Sequence, residues 1–403
     1  MTDVITVADE TALAQAVGAA CAQRKTLDVV GRGSKADLGR ATACDARLDV
    51  SALTGVNLYE PEELVLSARA GTPLAEIEDL LARNGQMLAF EPLDLGPLLG
   101  AGAWRASIGG VFACNLSGPR RISHGAARDH ALGARAVSGR GEVFKTGGRV
   151  VKNVTGYDLP RFLAGSHGTL AVLSEVTLKV LPCPATQQSL LLPITGTPEP
   201  IAAALASAMG SSCEVSGAAV LPGPLVARIG LPGLDTSVAA FRLEGFAPSV
   251  LARRDMLIQI LAPFGSARVL DADASGLFWE GVRHVRPFLG TGMRALWRLS
   301  TAPTRGPVLA ETLTRTLQAE AFCDWAGGLV WALMPTPAAE TAAVRAALAP
   351  HGGHATLVRA APSEREGEVF QPLPPAHAAL TRRVKQSFDP AGILNPGRMY
   401  AGV

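Results

Sequence analysis

The chain has 403 residues, 48% of them hydrophobic and 18% charged, enough for two or three domains with a buried core and contrary to intrinsic disorder. A formal net charge of +2 gives no reason to expect a nucleic-acid partner. No uninterrupted apolar run reaches the roughly 18 to 20 residues of a membrane span, and Met1-Thr2-Asp3-Val4-Ile5 lacks the basic and apolar regions of a signal peptide.

Residues 9–23 read as an amphipathic helix with Leu13, Val17, Ala20 and Cys21 on one face. A short apolar strand, Leu27 to Val30, runs into Gly31-Arg32-Gly33-Ser34-Lys35. Val65 to Ala70 reads as a strand. Thr72 and Pro73 then open a helix whose buried face is Leu74, Ile77, Leu80 and Leu81, and Asn84-Gly85 ends it. Ala131 to Val137 and Glu142 to Lys145 form a hairpin about residues 138–141. Alternation from Val172 to Val180 predicts a half-buried strand, closed by Pro182 and Pro184.

That proline pair marks the first domain boundary. Residues 185–375 carry more helix-length Ala/Leu segments. Strands near 226–230, 296–300 and 329–334 alternate with helices near 248–262, 308–319 and 338–349, which predicts an α+β domain on an antiparallel sheet. Residues 376–403 are again rich in turn residues.

Six cysteines are scattered with no C-x-x-C pair, which argues against a zinc or iron–sulfur site held by this chain alone and for reduced thiols in a cytoplasmic protein. Lys35 and Lys152 lie inside Gly-rich segments, where a cation beside a phosphate and a solvated surface lysine are both open readings.

Four Gly-rich turns recur between Ser107 and Val180, interleaved with hydroxyl and amide side chains. Glycine serves where backbone must approach a ligand closely. The turn at Gly31 to Lys35 follows a strand, but Ala36 stands where a Rossmann fingerprint needs its third glycine, and no P-loop pattern is present. What remains is either an ordinary β-turn, the commoner reading of such a segment taken alone, or a backbone nest with a hydroxyl and two cations, suited to a pyrophosphate.

The segments "GRGSK" (31–35), "AGTPLAEIEDLLARNGQMLAFEP" (70–92), "SIGGVFACNLSGPRR" (107–121), "GGRVVKNVTGYDLPRFLAGSHGTLAVLSEVTLKVLP" (147–182), "GGHATLVR" (352–359) and "FDPAGILNPGRMY" (388–400) carry a resemblance. Their order is similar to the vanillyl-alcohol-oxidase (PCMH-type) FAD-binding superfamily. More closely, the chain resembles the FAD-binding subunits of bacterial glycolate oxidases. The resemblance implies an α+β fold: a PCMH-type FAD-binding domain of two α/β subdomains over residues 1–184, an α+β cap domain over 185–375, and a C-terminal segment, 376–403, returning to the first domain.

It also implies a cofactor site. Gly31, Arg32, Gly33, Ser34 and Lys35 would hold the pyrophosphate of FAD, and Ser107, Ile108, Gly109, Gly110, Asn115 and Gly118 would line the ribityl and ring region. Asp129, Thr155, Gly156, Tyr157 and Asp158 would continue the pocket, although turn capping reads equally well for Asp129 and Asp158. Gly168, Thr169 and Val172 would approach the adenine end, and Arg398 would return near the ring. The pyrophosphate loop holds no histidine, and Cys114 reads as a small buried thiol, so the FAD is expected to be non-covalent.

The catalytic relatives carry a "GDGNLH" segment that this chain lacks, and no catalytic base is assigned. His351-Gly352-Gly353-His354 is the nearest candidate for a metal pair but reads sooner as a structural or flavin-adjacent turn. His284 reads as an anion contact or, more readily, part of a surface basic cluster, and His167 as part of the cofactor loop. The resemblance implies a subunit that oxidises glycolate, or another small 2-hydroxyacid, to its keto product beside a larger flavoprotein subunit and an iron–sulfur subunit. Any contact with the inner face of the cell membrane would come through those partners. A self-sufficient D-lactate-type dehydrogenase and a non-catalytic assembly subunit are the rival readings.

Overall fold

A computed structural model describes residues 3–102, 105–149 and 157–403. The chain divides into two units. One comprises residues 1–117, 125–183 and 366–403, and the other residues 118–124 and 184–365.

The first unit holds strands β1 (Asp3–Thr6), β2 (Leu27–Val30), β3 (Ala46–Asp49), β4 (Val56–Glu60), β5 (Val65–Arg69), β6 (Gln86–Met87), β7 (Ala131–Ser138), β8 (Val143–Gly147), β9 (Ala171–Lys179) and β10 (Leu181–Pro182). β3 pairs in parallel with both β1 and β2. Helix Glu10–Gln23 starts where the Asp9 carboxylate accepts from the Ala12 N–H at 2.8 Å, and ends at Arg24 with φ 54°. Its Leu13, Val17 and Ala20 pack with Leu27, Leu48, Val137, Val172 and Leu394 in one core.

An antiparallel sheet runs β4-β5-β9-β7-β8. The alternation in β9 predicts one solvent face, but nearly every residue is buried on both. β9 is the middle strand, and helix Ile108–Ala113 packs on it. Thr72 does not cap the following helix. Its hydroxyl donates to the Arg69 carbonyl at 2.7 Å and accepts from the Gly55 N–H at 3.0 Å, so helix Leu74–Ala82 begins behind Pro73 without a side-chain cap.

The second unit holds β11 (Thr186–Pro193), β12 (Gly217–Leu221), β13 (Val238–Gly245), β14 (Arg268–Leu270), β15 (Leu296–Ser300), β16 (Glu320–Asp324), β17 (Leu329–Leu333) and β18 (His354–Arg359). They form one antiparallel sheet in the order β14-β11-β13-β12-β16-β17-β15-β18. Helices Ala247–Leu261 and Ala272–Arg283 pack on β11, and Gly306–Leu317 on β16 and β17. The strand expected near 226–230 is instead helix Gly223–Ala227, because Pro222-Gly223-Pro224 presets a helical first turn. The strand beside it is β12, whose five residues are all buried.

Two segments depart from the expected domain limits. Residues 118–124 belong with the second unit, where the Gly118 carbonyl accepts from Trp325 Nε1 at 2.9 Å and Arg120 Nε donates to Glu244 at 3.0 Å. The returning tail starts at Glu366, ten residues before the expected point. There the Arg40 guanidinium donates to the carbonyls of Glu366, Gly367 and Gly397.

Candidate cofactor site

β2 ends at Val30, and the chain turns through Gly31 to Lys35 with Gly33 at φ +77°, a conformation that suits glycine. Facing it is the N-terminus of helix Ile108–Ala113. Ser107 caps this helix, its hydroxyl accepting from the Gly110 N–H at 3.3 Å. A Cβ at Gly31 would sit 2.9 Å from Ser107 Oγ, and one at Gly109 only 2.6 Å from Ala70 Cβ, so glycine is what lets these backbones meet.

The C-terminal tail completes the wall. Leu394 pairs in parallel with Leu27, and Asn395 Oδ1 accepts from the Val29 N–H at 2.7 Å. Asn395 Nδ2 donates to the His167 carbonyl at 2.9 Å, beside Gly168 at φ +71°. A cleft, part of it open to solvent, lies among these segments.

Three cations border this cleft. Arg398 pairs with Asp28 at 3.1 Å. Arg32 has a buried Nε with no hydrogen-bond partner. Lys35 is 9% exposed, and its Nζ donates to Ser34 Oγ at 3.0 Å, with no carboxylate in ion-pair contact among the described residues. Burial pulls its ammonium below the ordinary lysine range, against the opposing pull of Cys114 and Asp94. A buried cation outside ion-pair contact with any described carboxylate, beside glycine backbone, fits an anionic ligand.

Cys114 and His167 also line the cleft, with Sγ 3.6 Å from Nδ1. Burial pushes the thiol up, and burial together with Arg398 brings the imidazole down to about 3, so both are neutral near pH 7. A neutral thiol is a weak nucleophile.

Of the residues expected at the site, Gly31 to Lys35 line the cleft with Ser107, Gly109, Gly110, Gly168, Val172 and Arg398. The others do not. Ile108 is buried in the core, and Thr169 is buried with its hydroxyl on the Ser166 carbonyl. Asn115 accepts from the Arg128 N–H, and Asp129 accepts from the Ala126 N–H at 2.8 Å. Asp158 accepts from the Arg161 N–H and pairs with its guanidinium, while Tyr157 is 90% exposed. Gly118 belongs to the second unit. Thr155 and Gly156, with Lys152, lie outside the described residues.

His284 is buried at the end of helix Ala272–Arg283, not on the surface as expected. His351 and His354 flank a turn made by Gly352 and Gly353, both at positive φ. Among the described residues, no group of three or more His, Cys, Asp or Glu is placed to hold a metal.

Comparison with known proteins agrees with this geometry. The family described as "FAD binding domain" matches residues 2–147, and "FAD linked oxidases, C-terminal domain" matches 364–399. The glycolate oxidase subunit GlcE of Escherichia coli (strain K12) is 37% identical over 391 residues, covering 97% of each chain. The chain belongs to the family of this glycolate oxidase subunit. It is thus one of the FAD-linked oxidoreductases, and FAD is its cofactor. An uncharacterised FAD-linked oxidoreductase of Mycobacterium tuberculosis is 26% identical over 94% of this chain and 87% of its own.

The fold is shared more widely than the sequence. A 4-ethylphenol oxidase from Gulosibacter chungangensis superposes with a TM-score of 0.73 at 13% identity, covering 99% of this chain and 89% of its own. The glycolate oxidase subunit family thus has the PCMH-type α+β fold here. No described helix is long and apolar enough to cross a membrane.

Sequence reasoning omitted the apolar walls of the cleft, Val29, Val30, Leu38, Val50, Ala70, Ala171 and Leu173. They read as ordinary core. Asn395 carried a signal in its turn-rich setting, and its reach to β2 emerges only from the fold.

Proposed function

We propose that this chain is the FAD-carrying subunit of a complex that oxidises glycolate to glyoxylate. Lys35 carries the reading: a buried cation without a carboxylate partner, set against glycine backbone in the first unit. Lys35, Arg32 and the amides of Gly31 to Ser34 would hold the pyrophosphate. Ser107 to Gly110 and the Asn395 to Arg398 tail would close around the rest. When bound, FAD supplies the two-electron acceptor for a 2-hydroxyacid.

The loop 31–35 offers no histidine, and the Cys114 thiol is held protonated by burial, which supports non-covalent binding. The cysteines are not spaced for a cluster, so electrons would pass to an iron–sulfur subunit beside a larger flavoprotein subunit. Attachment to the inner face of the cell membrane would come through those partners. The E. coli relative is by name a subunit, which favours a complex over a self-sufficient dehydrogenase.

The chain co-purified with its partners should release all its flavin on acid precipitation, and the intact complex should reduce an artificial acceptor with glycolate. Flavin that stays with the precipitate overturns the non-covalent reading. A folded chain with no flavin absorption, or a flavin-replete complex inert to glycolate, overturns the function.

A further inference from the structure

Trp325, 5% exposed, carries two guanidiniums over its ring in the second unit, with Arg121 Cζ 4.1 Å and Arg298 Cζ 4.9 Å from the ring centroid. The loop that presents it is strained, since Trp325 and Ala326 have φ of 54° and 55° and neither is glycine. Such backbone persists only where the surroundings over-determine it, and it gathers at functional sites. Here Gly306 and Gly327 allow the loop to press against backbone: a Cβ on Gly306 would strike the Gly327 carbonyl, and one on Gly327 the Pro303 carbonyl. Asp324 accepts from the Trp325 N–H at 2.7 Å, and Trp325 Nε1 is held by the Gly118 carbonyl.

Arg298 lies mid-strand on β15, opposite Trp331 and Thr356, and two residues from Ser300, which faces His354. Arg298 and Ser300 therefore share a sheet face. The Arg298 guanidinium lies over the Trp325 ring but has no hydrogen bond or ion pair among the described residues. Burial, then the charge of Arg121, pulls it down to about 10, with Asp324 opposing. Burial, then Arg298 and Arg121, keeps the His354 imidazole below its usual range. The groups that act on Arg298 and His354 thus include two guanidiniums and the Asp324 carboxylate.

We propose that Arg298, with Arg121 and Trp325, forms a carboxylate-binding site in the second unit, suited to the carboxylate of a small 2-hydroxyacid. The identity of the acid rests on the function proposed above. A guanidinium held over an aromatic ring without hydrogen bonds to the chain keeps its N–H groups for a ligand, and a planar carboxylate accepts them in pairs. An arginine serving structure alone would be expected to send those groups to a carbonyl or carboxylate of the chain, as Arg40 does.

The test uses the full flavin-loaded chain, titrated with glycolate and acetate by calorimetry, with inorganic phosphate as competitor. Arg298→Gln should weaken glycolate binding by about 30-fold or more, with flavin content and Tm unchanged. Arg298→Lys, which keeps the charge but loses the fork, should fall between. It decides the matter equally if Arg298→Gln does not fold. Binding unaltered in either folded variant, or phosphate competing as well as acetate, overturns the site. Loss of glycolate binding with flavin intact upholds it even if the complex oxidises another 2-hydroxyacid. An unchanged KM for glycolate in an active complex carrying Arg298→Lys overturns the site and leaves the proposed function standing.

Discussion

Lys385 and Asp389 stand one turn apart at the end of helix Pro375–Phe388, with Nζ 2.7 Å from Oδ2, both buried. The ammonium also donates to the carbonyls of Thr169 and Leu394, at 2.6 and 2.7 Å. The carboxylate accepts from the N–H groups of Ile393 and Leu394. This pair fixes the turn that delivers Asn395 and Arg398 to the cleft. Gly139 makes room for it, since a Cβ there would overlap the Asp389 carboxylate. Lys385→Met leaves a buried carboxylate without its cation and should cost about 3–5 kcal/mol. Urea denaturation would show it, and the variant should purify with less flavin. Adding Asp389→Asn should restore part of the stability. A Lys385→Met midpoint equal to wild type would remove the tail from the argument.

Lys35 should behave in the opposite way. Its buried charge lacks an acidic partner, so Lys35→Met should leave the flavin-free chain as stable as wild type or more so. The same change removes a charge-assisted bond of about 1.5–3 kcal/mol to the cofactor. Flavin affinity should therefore fall by roughly 10- to 150-fold, read by fluorescence titration of the flavin-free chain. Loss of stability together with unchanged affinity would make Lys35 structural.

What could be read from sequence depended on whether a local constraint left a local mark. Gly33, Gly109 and Gly168 were legible because backbone that must turn left-handed or touch other backbone excludes a Cβ. Strands β5, β15 and β17 were legible from apolar residues bounded by turns. β12 escaped because Gly217 to Leu221 is a short run of small apolar residues, which periodicity does not separate from helix. Asp129 and Asp158 carried both a capping and a ligand reading, and their bonds to Ala126 and Arg161 are local turn contacts. Arg298 gave no signal at all. Its neighbours Arg121, Trp325 and His354 come from three distant segments that only the fold brings together.

Gly109→Ala isolates close backbone approach from cofactor contact. The added Cβ would lie 2.6 Å from Ala70 Cβ and 2.7 Å from its carbonyl oxygen, neither of which is a flexible side-chain end. Such overpacking should cost about 1–3 kcal/mol. Gly110→Ala meets only Ser107 Oγ at 3.2 Å and Lys35 Nζ at 3.6 Å, so it should lose flavin more than stability. Thermal unfolding and flavin content measured on both variants would separate the two effects. Equal loss of stability in the two would show that the helix, not the ligand, requires these glycines.

His167 makes the first unit sensitive to acid. Burial, then Arg398, lowers its imidazole from 6.5 to about 3. Between those values the unfolded chain binds a proton that the folded chain does not, so stability falls as pH drops. The penalty is absent above about 6.5 and complete near 3. His167→Asn should remove this dependence, because asparagine tolerates the φ of 52° at this position and does not titrate. The difference in unfolding free energy between wild type and variant should be constant above pH 6.5 and shift steadily against wild type below it. Urea midpoints from pH 7.5 to 4.5 would show the trend. Parallel curves across that range would mean that the folded imidazole takes up its proton as readily as the unfolded one, and that its place between Cys114 and Phe370 does not exclude charge.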